Sequence, residues 1–330
     1  MAFSNHKELY WVVTFFIALI LSTSNFAYAA NSWSVGLTPQ LLMSQYSGSE
    51  ERDTLTSYGV MAKADYLDNG GLTLGYNFTA VRGKALNPDI DETSWYISGR
   101  AIRYSDLMAG KVGLRLDGYA ITDKSTINQP ADNSTMRPNR PGSTSSTFTD
   151  NVSVMYAQLD YKNYGDRFYA DIAYAYSDYD YETNTAPYRD NQVQQFTTTA
   201  VMAFNDSYDL LQTRFYFIRL DHGDNTGGVD HSNALEFKWL HWFQPNAPLN
   251  VNSSLVKLLA GKRLYPVDPD SATTYSISDL QTSSVAAGLD WKLGELSKIF
   301  LLIGYDHYDN PQINDTYSTR YIFGSLLFNW

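Results

Sequence analysis

The feature that most constrains the fold of this chain is an alternation of apolar and polar residues with a period of two, which recurs throughout the sequence after Ala30. The stretch that begins near residue 111 is typical. It places Leu114 and Leu116 on one face and Arg115 and Asp117 on the other. Successive side chains of a β-strand point to opposite faces, whereas a helix repeats every 3.6 residues. Because no long segment has the helical spacing, the sequence predicts an all-β protein.

Turn signals divide this alternating region into fourteen candidate strands. Several connections are short and rich in Gly, Asn, Asp and Pro, such as Asp68–Gly71 and Gln244–Pro248, as tight hairpins require. They alternate with longer connections, of which the longest predicted one runs from Thr122 to Asp150. The predicted strands are 32–44, 56–67, 72–82, 93–105, 111–121, 151–162, 167–179, 193–204, 209–221, 232–243, 249–263, 276–292, 299–308 and 316–330. The strands near 193–204 and 249–263 lack a clean inward face, which predicts a bulge or a register shift in each.

Short turns that alternate with long loops are typical of a transmembrane antiparallel up-and-down β-barrel, with its turns in the periplasm and its loops outside. An even number of strands is also usual for such barrels. The alternative, a secreted β-sandwich, does not predict connections of two lengths at opposite ends. A mean hydropathy of −0.33 argues against a bundle of membrane helices. Because apolar and polar residues alternate along each strand, a barrel can have an apolar belt even when its mean hydropathy is polar.

The first 29 residues have the pattern of a secretory signal peptide. Lys7 lies in a short polar start, the apolar run Tyr10–Leu21 follows, and Ala27 and Ala29 form a small-x-small cleavage site. The alternative, a membrane anchor, requires a longer apolar run of about 20 residues. We therefore predict a signal peptide at residues 1–29 and an outer-membrane barrel at residues 30–330.

Composition excludes several classes of function. The formal net charge is −11, which argues against nucleic-acid binding because that needs a basic surface. The chain has no cysteine, so disulfides, thiolate metal sites, iron–sulfur clusters, cysteine nucleophiles and a lipoprotein anchor are all excluded. We expect no cofactor.

The 26 Tyr, 16 Phe and 7 Trp residues predict two aromatic girdles at the headgroup levels of the membrane. Those at the turn ends of strands are Trp33, Phe168, Phe204, Trp242, Phe243, Trp291 and Trp330. Those toward the loop ends are Tyr46, Trp95, Tyr176, Tyr179, Tyr265, Tyr275, Tyr305 and Tyr317.

The last strand ends on an aromatic residue, Trp330, behind which Phe328, Leu326 and Ile322 alternate. This segment resembles the C-terminal signature of Gram-negative outer-membrane β-barrel proteins. The resemblance implies insertion by the barrel-assembly machinery, which reads this signal, and contact with outer-membrane lipid and lipopolysaccharide. It identifies the class and no particular subfamily.

If the apolar faces contact lipid, a set of charged side chains faces the lumen. The lumen-lining candidates are Arg100, Arg115, Asp117, Asp160, Asp171, Arg214, Glu236, Lys238, Asp290 and Asp306, with the uncharged Asn77. Buried unpaired charges are costly, so these groups are either hydrated or paired across strands. A barrel of fourteen strands favours a water-filled passage. A closed network of ion pairs without conductance is the alternative.

The long connection carries Lys124, Arg137 and Arg140, which become candidates for a constriction if it folds into the barrel mouth. If it stays outside, it is a surface loop.

The sequence therefore predicts a porin-like channel for passive passage of small polar solutes, with cations or neutral sugars favoured by the acidic balance. One alternative is a non-conducting scaffold or export component for a periplasmic or surface partner, as in polysaccharide export or electron transfer. The other is an outer-rim hydrolase that uses His222, His231 or His307 beside Asp residues. No recognisable catalytic motif supports the hydrolase, and the same Asp-rich loops do not match a calcium-binding loop, so we expect no enzyme and no metal.

Overall fold

A computed structural model of the protein describes residues 33–67, 69–84, 87–128, 145–165, 167–182, 190–221, 226–244, 250–264 and 279–330. The predicted signal peptide at residues 1–29 and the residues Arg137, Arg140, His222, Tyr265 and Tyr275 lie outside these ranges. Among the described residues, no helix has both the length and the apolar character needed to cross a membrane.

The described chain forms a closed antiparallel barrel in which each strand pairs with its sequence neighbours and the last strand pairs with the first. This confirms the prediction of fourteen strands. They are β1 (Trp33–Ser47), β2 (Arg52–Tyr66), β3 (Gly70–Gly83), β4 (Asp89–Leu107), β5 (Gly110–Asn128), β6 (Ser145–Asn163), β7 (Phe168–Tyr181), β8 (Asn191–Phe204), β9 (Asp209–Leu220), β10 (His231–Trp242), β11 (Val251–Leu264), β12 (Leu280–Lys292), β13 (Ser297–Asn310) and β14 (Asp315–Asn329).

The outer surface carries an apolar belt, which the alternation creates. In β5, Leu114 and Leu116 are 48% and 52% exposed, whereas Asp117 and Tyr119, which follow them in the strand, are buried on the inside. Ile303 in β13 and Phe217 in β9 are exposed in the same way. A continuous apolar surface of this kind is unfavourable in water and matches the hydrocarbon of a bilayer.

The prediction of irregular strands holds for one of the two. In β11 the pairing with β12 shifts between Ala260 and Arg263, where Gly261 has a positive φ of 107°. A bulge with glycine in this conformation is favourable because glycine has no Cβ. The prediction is wrong for β8, which alternates regularly and keeps its register with both neighbours. The two faces of β8 differ little in polarity because Thr197 and Thr199 point inward, and not because the register shifts.

The longest predicted connection is shorter than the turn signals indicated. β5 continues to Asn128 and β6 starts at Ser145, and the two strands pair over this whole extension. Apart from Ile127 and Phe148 the extension is polar on both faces, so the alternation that marks a membrane-facing strand is missing there.

Of the turn-end aromatic residues, Trp33 and Trp330 are both more than half exposed, but Trp242 lies on the inward face of β10, in line with Glu236 and Lys238. The loop-end girdle is partly wrong. Trp95 and Tyr305 are exposed on the outside, but Tyr179 and Tyr317 are buried on the inside of the barrel. Tyr46 also faces inward, where its ring lies 5.5 Å from that of Tyr317.

Candidate functional site: the barrel lumen

Along five strands the inward-facing residues change in character in the same direction. In β5 the inward series from the turn end is Arg115, Asp117, Tyr119 and Ile121, so it passes from charged to apolar before Asp123 follows near the loop end. The same order appears in β6 from Asp160 to Val152, in β7 from Asp171 to Ala175, in β9 from Arg214 to Leu220, and in β10 from Lys238 to Ala234. Along these five strands the lumen therefore has two zones, which we call the charged band and the apolar layer.

The charged band is made of pairs and short networks. On one side of the barrel Arg100 contacts Asp65, which also accepts from Lys63 at 2.9 Å. In the next strand Arg115 Nε donates to Asp117 Oδ2 at 2.7 Å. These groups are partly solvent-accessible, since the side chains of Lys63 and Arg100 are 40% and 24% exposed.

On another part of the wall, Glu236 is the centre of a second network. Its Oε2 accepts from Lys257 and from Arg263, both at 3.1 Å, and Tyr216 OH lies 3.4 Å away. The Arg263 guanidinium also lies 4.8 Å from the centroid of the Tyr216 ring. Several donors around one carboxylate offset the cost of burying it.

The remaining lumen-lining candidates have smaller sets of partners. Asp160 and Asp171 are directly opposite each other on β6 and β7, which places two carboxylates side by side. Arg214 Nε donates to Thr199 Oγ1 at 3.1 Å, and Lys238 lies opposite Lys257. The remaining contacts are Asn252 Nδ2 to Asp290 Oδ2 at 2.8 Å, Tyr308 OH to Asp306 Oδ2 at 3.0 Å, and Asn77 Nδ2 to Ser57 Oγ at 2.8 Å.

One predicted constriction residue lies elsewhere. Lys124 is exposed on the outward face of β5, in line with Leu114 and Leu116, so it does not point into the lumen. The reason is the strand extension described above. Because β5 continues through this residue, the period of two fixes its direction.

The apolar layer was not predicted. It is a cluster of inward side chains, each no more than 9% exposed, that packs on the loop side of the charged band. Its members are Tyr96, Tyr119, Ile121, Val152, Val154, Tyr156, Ala173, Ala175, Tyr179, Val193, Tyr216, Ile218, Leu220, Ala234, Leu259, Leu264 and Leu280. Ile218 and Leu280 are fully buried, so this zone is packed and is not a wide aqueous pore.

Sequence reasoning also missed four charged members of the band: Lys63, Asp65, Lys257 and Arg263. The first two continue the alternation of β2 and were detectable from it. The last two lie in β11, where the bulge disturbs the pattern. Among the residues that the structure describes, there is no group of three or more His, Asp or Glu side chains that could hold a metal ion.

Solved structures with a similar fold include channels. No family model and no curated protein matches the sequence. The "CymD monoaromatic hydrocarbon channel" is 10% identical, with a TM-score of 0.50 over 91% of this chain and 88% of that one. A "TodX deltaS2S3 mutant monoaromatic hydrocarbon channel" is 8% identical, with the same TM-score over 92% of each chain. A Pseudomonas aeruginosa FadL homologue is 10% identical with a TM-score of 0.49, over 91% and 90%.

The chain is an outer-membrane β-barrel. The similarity is one of fold, because so low an identity does not carry a substrate from one protein to another. The fold and the apolar belt agree with a location in a bacterial outer membrane, and the CymD and TodX proteins of similar fold are channels.

Proposed function

We propose that the barrel is a passive outer-membrane channel for small polar solutes, with cations or neutral sugars favoured. The charged band supports this proposal. Lys63, Arg100 and Lys257 are inward-facing yet 24% to 40% exposed, so the turn-side half of the lumen is hydrated. Such a wall gives a polar solute hydrogen-bonding partners. The net charge of −11 on the chain as a whole, and not these three cations, is what disfavours anions.

The apolar layer is then the barrier to flux. Apolar constrictions restrict ions and water by dewetting, even when the side chains leave some space. Tyr119 and Tyr156 lie at the boundary between the two zones, so their rings control how far water reaches from the charged band. We infer that passage requires these rings to move or the layer to open.

The experiment is the swelling of proteoliposomes in sugars of increasing size. The wild-type protein is expected to admit the smallest sugars, and Tyr119→Ala with Tyr156→Ala to raise the swelling rate and the size limit. Leu116→Ala is the matched control, because this residue lies in the same strand but faces lipid. Wild-type liposomes that swell no faster than protein-free ones would contradict the proposal.

A second candidate, passage of apolar solutes, is favoured by the same apolar layer. It predicts that the lumen binds a small apolar fluorophore and that Ile218→Asn abolishes this binding, while sugar-dependent swelling is absent. A protein with neither activity would favour the closed scaffold for a periplasmic or surface partner.

A further inference from the structure

A second site lies at the turn ends of β8, β9 and β10. It is a cavity of about 450 Å³, which we call the turn-end cavity. Its lining is Asn205, Asp206, Tyr208, His241, Trp242, Phe243 and Gln244. None of these residues belongs to the charged band or to the apolar layer, so the channel proposal does not account for the cavity.

The centre of this site is an outward-facing carboxylate that is nevertheless buried. Asp209 lies opposite His241 in the β9–β10 pairing and accepts from its Nδ1 at 2.8 Å. Trp239 Nε1 donates to the same oxygen at 3.0 Å, and Asn205 Nδ2 donates to the other oxygen at 2.7 Å. Three donors hold one carboxylate, and it in turn fixes the orientation of the imidazole.

The turn beside this carboxylate has an unusual backbone. Asn205, Asp206 and Ser207 all have φ values between 52° and 69°, a left-handed conformation that Asn and Asp tolerate and that is unfavourable for most other residues except glycine. Hydrogen bonds keep the turn in place, including Tyr208 N to Asn205 O at 2.9 Å and Trp242 N to Tyr208 O at 2.7 Å. Strain that is held by its surroundings is typical of functional sites.

The loop end of the barrel offers an internal comparison. His231 contacts Asp230 at 2.6 Å, and that hydrogen bond holds the pKa of Asp230 below its usual value. Both side chains are 66% exposed there, whereas those of His241 and Asp209 are 29% and 8% exposed. The pair at the turn end is therefore enclosed beside a cavity, and the pair at the loop end is an open surface contact.

The position of the cavity indicates its occupant. Phe237 and Trp239, on the same face of β10 as His241, are 40% and 45% exposed within the apolar belt. The ring of Phe243 then packs edge-on against His241 at 4.8 Å. The cavity thus begins where the belt ends, at the headgroup level of the periplasmic leaflet, where an acyl chain can lie along the belt.

The charges of the lining indicate which kind of headgroup the cavity can bind. With Nδ1 held by Asp209, Nε2 is the edge of His241 left for a ligand, and an imidazolium can donate from it to a phosphate oxygen. The Gln244 amide and the Tyr208 hydroxyl supply further donors in the lining. Asp206 is exposed at the rim, which favours an ammonium group and disfavours a purely anionic headgroup.

We propose that the turn-end cavity binds the headgroup of a zwitterionic phospholipid, with the phosphate against His241 and the ammonium group against Asp206. The bound lipid anchors the periplasmic edge of β8–β10 in the inner leaflet. This site depends on the barrel fold and not on whether the lumen conducts.

Native mass spectrometry of the delipidated protein tests the proposal with phosphatidylethanolamine, phosphatidylglycerol and diacylglycerol of the same acyl chains. Phosphatidylethanolamine is expected to bind most tightly. His241→Gln removes a charge-assisted hydrogen bond and is expected to weaken binding by about tenfold or more. His231→Gln, at the open pair, is the matched control and is expected to change nothing.

A variant that does not disturb the buried network is Asp206→Asn, because this residue is exposed. It is expected to fold normally and to remove the preference for the ethanolamine over the glycerol headgroup. Equal binding of diacylglycerol would overturn the proposal, because the aromatic surface alone would then explain retention. Displacement of the lipid by inorganic phosphate would also overturn it and assign the cavity to a free anion.

Discussion

The seam between β1 and β14 contains a proline at a position where the pairing calls for a backbone N–H donor. Val35 and Trp330 exchange both backbone hydrogen bonds across the seam between β1 and β14, so the pairs at every second position along the seam are the hydrogen-bonded ones. By that register Pro39 stands opposite Leu326 at such a position, and proline has no N–H to donate. The pair is within the lipid-facing belt, where no water replaces the missing donor.

Replacement of Pro39 by valine is expected to stabilise the barrel. The new N–H can donate across the seam, a gain of about 1 kcal/mol. The measurement is the free energy of unfolding in lipid vesicles, followed by heat-modifiable gel migration. Leu41→Val, at a neighbouring seam position that already has its N–H, is the control. Unchanged or lower stability of Pro39→Val would show that the missing N–H donor at the seam is already replaced in another way.

Gly113 illustrates a close approach inside the lumen. A Cβ at this position would lie 2.6 Å from Asp160 Oδ1 and 2.6 Å from the Tyr104 ring. We expect Gly113→Ala to lower the free energy of unfolding by about 1–3 kcal/mol, as overpacking does. Gly118→Ala, five residues along the same strand, meets nothing within 4 Å and is expected to be neutral. Equal stability of the two variants would contradict the close packing.

At the scale of elements, the charged band combines contacts that stabilise the barrel with one that does not. Glu236 has cationic partners on β11, whereas Asp160 and Asp171 are like charges directly opposite each other on adjacent strands. Like charges at such positions are destabilising. A pair of this kind is expected to contribute to ion selectivity rather than to stability.

Removal of the Glu236 charge by Glu236→Gln is expected to destabilise the barrel by about 3 kcal/mol, because Arg263 would stay buried without its counter-ion. Urea unfolding in vesicles measures this change. Glu295→Gln, in an exposed turn, is the control and is expected to change the free energy of unfolding by less than about 0.5 kcal/mol. A loss for Glu236→Gln no larger than that of the control would contradict a structural role for the network.

Asp171→Asn is expected to act in the opposite way. It relieves the repulsion with Asp160, so stability should be unchanged or higher, while the permeability ratio of K⁺ to Cl⁻ falls. The reversal potential in a KCl gradient measures this ratio. A clear loss of stability, or an unchanged reversal potential in a conducting protein, would count against this view of the pair.

The elements also show where sequence reasoning was sufficient. The strands, their number and the outward belt follow from a period of two, because lipid on one side forces the contrast between faces. The extension of β5 to Asn128 has no such contrast and was interpreted as a loop. The apolar layer was missed for a related reason. Alternation assigns Tyr119 and Ile121 to the inner face, but it does not indicate what those side chains meet across the barrel.

At the scale of the whole molecule, the account is that of a barrel with a hydrated charged band on the turn side and a packed apolar layer on the loop side. The first zone suits polar solutes and the second resists them. Conduction through the complete barrel therefore depends on the layer, to which β4 through β12 contribute.

Single-channel recording of the purified protein in planar bilayers tests this account most directly. The account predicts discrete conductance steps in KCl, and larger or longer openings when Tyr119→Ala and Tyr156→Ala widen the boundary of the apolar layer. No conductance in either protein, at any voltage or salt concentration, would contradict the channel.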